Sequence, residues 1–239
     1  MKGNRDKMNY FVAKVLFGIP LRFQLSRNKA FARVFNFVYF NKIDGDYLEF
    51  GVARGSTMKM ALNNARVRRI SGMNFYGVDT FEGFPETIGP ETSFRTYRNI
   101  VGSRVFSIDT LEEKLGFKGI ENLKFLKLNM ENGDLQKLHE FANLSNLAVI
   151  HLDMDYYLPT YTALMEIHKG FKIGTILMFD NFFFFSGSDL MGERKALSDF
   201  RKRHINLTIS EYFNYGWHGK AFIVSNTATE SIDTPDIIS

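Results

Sequence analysis

Two acidic clusters directly follow the two most apolar stretches of the chain, and their residue types suit metal chemistry. Asp153 and Asp155 follow one apolar run, and Asp180 and Asn181 follow the next. Residues two apart on an extended segment point the same way, so Asp153 and Asp155 are expected to face one pocket. If the two strands are neighbours, Asp153, Asp180 and Asn181 bring three oxygen ligands to one spot. Such a set suits a hard cation such as Mg²⁺.

The alternative for these clusters is a structural one, in which the acids cap the helices that follow. Carboxylates beside fully apolar strands are costly without a partner, so either a cation or a helix N-terminus must compensate them. The clustering of acids at two strand ends favours the cation.

An earlier strand runs into a glycine-bearing turn and then a helix. Gly51 and Gly55 in the segment Glu49–Ser56 allow a ligand to approach the backbone, and the helix start offers free N–H groups. The next strand ends at Asp79, where a carboxylate can accept hydrogen bonds from both ribose hydroxyls of a nucleoside. Together these features indicate a nucleoside-bearing ligand. Singly, the turn could be a plain strand–helix connection and Asp79 a helix cap.

The elements that must position these residues alternate regularly from residue 46 onward. The predicted strands are 47–50, 74–78, 124–128, 147–152, 174–179, 207–213 and 220–224. The predicted helices are 56–66, 110–115, 135–141, 159–169 and 189–204. This repetition, with continuously apolar strands, predicts an α/β fold whose parallel sheet is covered by helices on both faces. The last two strands are close enough to form an antiparallel pair.

The first 43 residues differ in charge from the rest of the chain. They carry a net charge of +8 and nine aromatic side chains, whereas the remainder carries −4. The sequence is therefore divided into a basic, aromatic helical extension (1–43), a main domain (44–225) and a loose tail (226–239). The extension is expected to pack on the main domain or a second subunit and to bury Phe17, Phe31 and Phe35. Peripheral contact with an anionic membrane surface through this segment stays open.

Composition excludes several classes of protein. The chain has no cysteine, which removes thiolate zinc sites, iron–sulfur clusters and cysteine nucleophiles. Its apolar runs are shorter than the ~18 residues of a membrane span, and Gly18 and Pro20 interrupt the one that resembles a signal peptide. The acidic main part carries no nucleic-acid-binding motif. A cytoplasmic protein without a nucleic-acid partner is expected.

Five motifs, in order along the chain, resemble the macrocin O-methyltransferase family. They are Y-L-E-F-G-V-A-R-G-S (47–56), F-Y-G-V-D-T-F-E-G-F-P (75–85), H-L-D-M-D-Y-Y-x-P-T (151–160), G-T-I-L-M-F-D-N-F (174–182) and G-E-R-K-A-L-S-D-F (192–200). Family members are class I, S-adenosylmethionine-dependent enzymes that methylate sugar hydroxyls on glycosylated products. The resemblance covers about residues 45–225. It implies a Rossmann-like α/β fold with a seven-stranded, mostly parallel sheet whose last strand is antiparallel.

The resemblance also implies which residues surround the cofactor. Glu49, Gly51 and Ser56 would border the methionine part of S-adenosylmethionine, and Asp79 would hold its ribose. Phe81 and Glu82 would lie beside the adenosine, with Asn129 and the next two residues near the adenine.

For the metal, the resemblance implies that Asp153, Asp180 and the residue after it are ligands, with Asp155 as the general base. Many members have a second aspartate where this chain has Asn181. An asparagine supplies a carbonyl oxygen, so coordination is retained with one negative charge fewer. The metal-dependent catechol methyltransferases share this architecture and are similar here, because they also place Asp-Asn at this strand end.

Loops near the expected site are candidates for holding the acceptor. The loop 82–100 would act as a lid that excludes water, although an ordinary solvent loop is the alternative. Its candidate residues are Arg95, Tyr97 and Arg98. Tyr156, Trp217 and His218 are candidates for contact with the acceptor.

The predicted function is Mg²⁺-dependent methylation of a hydroxyl on a sugar or other vicinal-diol acceptor, which would be a small natural product or a glycan. A homo-oligomer is expected. Two alternatives remain open at this point. One is a non-catalytic methyltransferase-like binding module. The other is a nicotinamide-dependent oxidoreductase, which the absence of G-x-G-x-x-G disfavours.

Overall fold

Strands and helices alternate along the chain in a computed structural model, which describes residues 25–83, 91 and 106–227. The helices are α1 (Arg27–Phe40), α2 (Ser56–Val67), α3 (Ile108–Leu115), α4 (Gln136–Phe141), α5 (Tyr157–Ile167) and α6 (Gly192–Arg203). The strands are β1 (Asp46–Phe50), β2 (Phe75–Asp79), β3 (Leu123–Lys127), β4 (Leu147–Leu152), β5 (Ile176–Phe179), β6 (Thr208–Tyr215) and β7 (Gly219–Asn226).

The strands form one seven-stranded sheet in the order β3-β2-β1-β4-β5-β7-β6. Neighbours from β3 to β5 pair in parallel, whereas β7 runs antiparallel to both β5 and β6. The predicted fold class is therefore confirmed. The strand order reverses direction between β1 and β4, and ligands of open α/β sheets bind in the crevice at such a switch point.

Side chains alternate between the two faces of the sheet, and each face has its own core. In β1, Tyr47 packs in the core that includes α1, α2 and the start of α3, whereas Leu48 and Phe50 pack in the core that includes α4, α5 and α6. All six residues of β4 are buried, as a central strand covered on both faces requires.

Helix α1 is an integral part of one of these cores. Ser26 caps its N-terminus, and Phe31 and Phe35 are fully buried against the ring of Tyr47. The Arg68 guanidinium at the end of α2 donates to the carbonyl oxygen of Ala32 at 2.9 Å. The expected burial of Phe31 and Phe35 is confirmed, whereas Phe17 lies outside the described residues. The division of the chain at residue 43 stays a prediction.

A single substitution measures how much α1 contributes to stability. Val34 is fully buried in this helix, so Val34→Ala removes about two buried methylene equivalents and is expected to lower the free energy of unfolding by about 1.5 kcal/mol. Val67→Ala is the matched control, because Val67 ends α2 with 78% of its surface exposed. Urea unfolding checks both. If neither substitution lowers the free energy of unfolding measurably, α1 does not unfold together with the rest of the protein.

Element ends depart from the sequence prediction by a few residues. Helix α5 begins at Tyr157 rather than at Pro159, because Tyr156 has the extended backbone of an N-cap. Pro159 still lies in the first turn, where its missing N–H costs no intrahelical bond. Strand β7 extends to Asn226, the first residue of the predicted tail, and 228–239 lies outside the described residues. In the part of the chain that the structure describes, every helix is too short or too polar to cross a membrane.

Candidate active site

A cleft opens at the carboxyl ends of β1, β2, β3 and β4. It has a cavity volume of about 110 Å³ and is open to solvent. Its lining includes six residues that the sequence analysis singled out, namely Gly51, Asp79, Asn129, Asp153, Asp155 and Tyr156. Residues 105 positions apart in the chain therefore meet at the switch point of the sheet.

The turn after β1 is built on a glycine that no other residue can replace. Gly51 has φ +85°, and a Cβ added to it would lie 2.0 Å from the carbonyl oxygen of Asp153. The turn can therefore lie directly against the chain that leaves β4. Gly55, with φ +68°, is the N-cap of α2, and Ser56 is its exposed first residue.

Asp79 at the end of β2 connects two loops that border the cleft. Its Oδ2 accepts from the backbone N–H of Ala53 at 2.9 Å, and its Oδ1 accepts from that of Phe81 at 2.8 Å. Oδ1 also lies 3.4 Å from the Thr80 hydroxyl, whereas Oδ2 keeps a second lone pair for a ligand hydroxyl. The side chain is partly exposed to the cleft.

Three other residues predicted to surround the cofactor, Glu49, Phe81 and Glu82, are not among the residues that line the cleft. Glu49 is fully buried beneath the turn, where it accepts from the Tyr47 hydroxyl at 2.6 Å and from the Thr57 hydroxyl, and burial raises its pKa. Phe81 packs in the core against Phe125. Glu82 is exposed and forms an ion pair with Lys127 at 2.6 Å.

The predicted metal ligands meet where β4 and β5 end side by side. The amide nitrogen of Asn181 donates to Asp153 Oδ1 at 2.7 Å, and Asp180 forms an ion pair with Arg27 from α1. Burial and the neighbouring charges of Asp180 and Asp155 raise the pKa of Asp153 well above its usual value. Burial also acts to raise the pKa of Asp180, but His151 and Arg27 outweigh it and hold this pKa below its usual value.

Asp155 lies in the short connection between β4 and α5 and is buried, with 6% of its surface exposed. Its backbone has φ +64°, a left-handed conformation that is uncommon outside glycine and asparagine and tends to occur at functional sites. Asp155 and Asp153 both line the cleft, as expected, although the segment that joins them is not the extended strand on which that expectation rested.

Sequence reasoning missed several residues around these acids. Glu193, from the last of the five motifs, is fully buried, and its Oε2 accepts from the Asn181 backbone N–H at 2.9 Å. Burial first, and then the charges of Asp153, Asp155 and Asp180, raise its pKa well above the usual value. His151 is the first residue of the third motif, but a histidine at the end of an apolar strand did not by itself indicate a functional role. Arg27 lies in a segment with no recognisable motif.

Glu91 joins the starts of two helices beside the acids. Its carboxylate accepts from the backbone N–H of Tyr157, the first residue of α5, and from that of Gly192, the first residue of α6. Both N–H groups lack intrahelical acceptors, so one carboxylate caps two helices. The rest of the predicted lid, including Arg95, Tyr97 and Arg98, lies outside the described residues.

The candidate acceptor contacts divide into two groups. Tyr156 is buried and lines the cleft. Trp217 and His218 lie instead in the turn between β6 and β7, where Trp217 is 86% exposed. The His218 ring lies edge-on to that of Phe184 at 5.1 Å, which places this turn against the segment that follows Asn181.

The role expected of Asp79 leads to a binding prediction. Asp79→Ala should weaken binding of S-adenosylhomocysteine, the demethylated form of S-adenosylmethionine, by about 1–3 kcal/mol, because it leaves ligand hydroxyls and two loop N–H groups without an acceptor. Titration calorimetry measures the loss, and Asp109→Ala, an exposed acid on α3, is the control. Unchanged affinity in Asp79→Ala would contradict the assignment.

Comparison with known proteins supports one family. The family model for macrocin O-methyltransferase (TylF) matches residues 25–213. The O-methyltransferase NovP superposes with a TM-score of 0.66 at 17% identity, over 84% of this chain and 80% of that one. The calicheamicin methyltransferase CalS11 gives 0.63 at 17% identity, over 82% and 77%. TomG from Streptomyces achromogenes, in complex with S-adenosylmethionine, gives 0.53 at 11% identity, over 90% and 87%. A search of curated protein sequences found no match.

The structural likenesses establish the fold, and the family model spans α1, strands β1 to β5, most of β6, the glycine turn and both acidic clusters. The chain belongs to the macrocin O-methyltransferase family and is an S-adenosylmethionine-dependent O-methyltransferase.

Proposed function

We propose that this enzyme methylates a hydroxyl of a sugar, or of another acceptor with two neighbouring hydroxyls, with the help of Mg²⁺ or another divalent cation. The observation that carries the proposal is the acidic cluster of Asp153, Asp155, Asp180 and Asn181 at the edge of the cleft. In this proposal the cleft between the Gly51 turn and Asn129 holds the methyl donor, so the acids lie where the acceptor would meet it.

The donor chemistry of the cluster fits a hard cation. Within residues 25–83, 91 and 106–227, no three acidic or histidine side chains form a group that could hold a metal ion. The proposed set combines two aspartates with an asparagine, whose side chain carries an amide oxygen beside the nitrogen that contacts Asp153. Oxygen ligands of this kind, completed by water and substrate, are those that Mg²⁺ prefers.

The charge balance of the cluster also favours a cation. After burial, the charges of Asp180 and Asp155 raise the pKa of Asp153, and those of Asp153, Asp155 and Asp180 raise the pKa of Glu193. Glu193 Oε1 is buried and has no hydrogen-bond partner among the described residues. In the described part of the chain, Arg27 pairs with Asp180, and its one positive charge faces several carboxylates.

Each residue has a defined task in this proposal. When bound, the cation would polarise the acceptor hydroxyl and lower its pKa. Asp155 would accept the proton of that hydroxyl as its oxygen attacks the methyl group of the donor. The bond between that methyl group and the sulfonium sulfur breaks, and S-adenosylhomocysteine leaves. Gly51 would let the turn lie close to Asp153, so that donor and acceptor sites share one wall. Tyr156 would exclude water from that wall.

The acceptor class is inferred from what relatives are named for. The family model carries the name of macrocin O-methyltransferase, and CalS11 is described as a TDP-rhamnose 3'-O-methyltransferase of calicheamicin biosynthesis. These names support a sugar hydroxyl as the methylated group. Two neighbouring hydroxyls on that sugar could both contact a cation held by Asp153 and Asp180.

Methyl transfer to matched pairs of sugars tests the proposal. Each pair consists of a vicinal diol and its monodeoxy counterpart, incubated with labelled S-adenosylmethionine with and without Mg²⁺. We expect label to enter diols only and to require Mg²⁺. Label entering the deoxy sugars equally would contradict the diol requirement. Label entering phenolic but no sugar acceptors would contradict the acceptor class.

A further inference from the structure

His151 is a fully buried histidine whose two ring nitrogens have no hydrogen-bond partner among the described residues. Its Nε2 lies 3.8 Å from Oδ1 of Asp180, within ion-pair range but longer than a hydrogen bond. Burying an imidazole without hydrogen bonds costs the free energy of removing its polar nitrogens from water. An apolar side chain of similar size would fill the same space without that cost. This position therefore calls for an explanation beyond packing.

The strand register places His151 between two carboxylates. Glu49 of β1 is its partner on one side, and Met178 of β5, two residues before Asp180, is its partner on the other. Since alternate residues share a face, Glu49, His151 and Asp180 lie on the same α1-facing side of the sheet, with Asp180 two residues beyond the register partner of His151. The Phe31 ring of α1 lies 5.5 Å from the imidazole on this side.

Asp180 is approached from two directions. Arg27 from α1 pairs with its Oδ2, and His151 from β4 faces its Oδ1. The carboxylate would rotate freely about its terminal torsion if neither group were present, because that torsion is broad. Arg27 on one oxygen and His151 facing the other favour one orientation of this carboxylate.

We propose that His151 is a positioning residue, which presents an Nε2–H to Asp180 and with Arg27 holds this carboxylate in the orientation that binds the divalent cation. The inference rests on the proposed function, because it assigns Asp180 to the cation. Hydrogen bonds of this kind are often long before ligands bind and shorten in the complex. Partners of metal ligands typically change metal affinity or activity by about 10–100-fold when removed.

Two substitutions separate positioning from packing. His151→Leu fills the core but cannot donate, whereas His151→Gln keeps a side-chain N–H. We expect His151→Leu to bind Mn²⁺, used as a probe for Mg²⁺, about 10–100-fold more weakly, with thermal stability equal to or above that of the wild type. We expect His151→Gln to stay within about fivefold of the wild type. Affinity for S-adenosylhomocysteine without metal should change little in either variant.

The measurements are calorimetric titration of Mn²⁺ and of S-adenosylhomocysteine, thermal unfolding, and kcat and KM. His168→Leu is the control, a partly buried histidine just beyond the far end of α5. If His151→Leu does not fold, His151→Met replaces it. If His151 serves only packing, His151→Leu should bind Mn²⁺ as tightly as the wild type and His151→Gln should lose stability. That result would overturn the inference. A wild-type protein that binds no Mn²⁺ would overturn the cation assignment itself.

Discussion

Replacing Asp155 with asparagine is expected to lower kcat by about 10²–10⁴-fold while the affinity for S-adenosylhomocysteine stays unchanged. The substitution removes the proton acceptor proposed for the sugar hydroxyl. It should leave the backbone intact, because asparagine tolerates the left-handed conformation that Asp155 adopts at φ +64°. Single-turnover methyl transfer and calorimetry measure the two quantities separately.

Asp199→Asn is the matched control for this experiment. Asp199 lies on α6 and pairs with Lys195 and Lys202, and the same change there should leave kcat within about twofold. Wild-type turnover by Asp155→Asn would exclude Asp155 as the base. In that case Glu193, whose pKa is raised by burial and by the neighbouring acids, would be the next residue to test.

Removing divalent cations is expected to reduce methyl transfer to background and to leave S-adenosylhomocysteine bound. The proposed cation sits on Asp153, Asp180 and Asn181, whereas the expected nucleoside contacts lie at Asp79 and Asn129 on neighbouring strand ends. Turnover should return when Mg²⁺ is added back in excess of the chelator. Assays in EDTA, combined with calorimetry of S-adenosylhomocysteine, check both halves of this prediction.

A pair of substitutions at Asn181 sharpens the result. Asn181→Asp keeps an oxygen ligand and adds a negative charge, so it should bind Mg²⁺ at least as tightly as the wild type. Asn181→Leu removes the oxygen and should weaken Mg²⁺ binding and turnover together. Full activity in EDTA would contradict the requirement for a divalent cation.

The family assignment also decides between the functions that the sequence left open. A nicotinamide-dependent oxidoreductase and a non-catalytic binding module both remained compatible with an α/β sheet and polar strand ends. Membership of the macrocin O-methyltransferase family replaces both with an S-adenosylmethionine-dependent enzyme.

The sequence by itself determined the elements and the chemistry at their ends. Strand β4 was predicted with the bounds that it has, and the other strands and the helices after residue 43 were predicted to within three residues at either end. Helix α1 was expected only as part of a helical extension, without bounds. Strands and helices can be predicted from the sequence because apolar runs and helical periodicity are local patterns that span about one element. The placement of Asp153 beside Asn181 also followed, because carboxyl ends of neighbouring parallel strands meet at one edge.

Only the tertiary structure decided which distant side chains complete the site. Arg27 reaches Asp180 across 153 positions, Glu91 reaches Gly192 across 101, and His151 faces both Glu49 and Asp180 only through the register of three strands. It also buried Glu49 and Phe81, which the sequence expected beside the cofactor. Such contacts depend on how separate elements pack. The local sequence pattern of one segment does not show which residue of another segment will contact it.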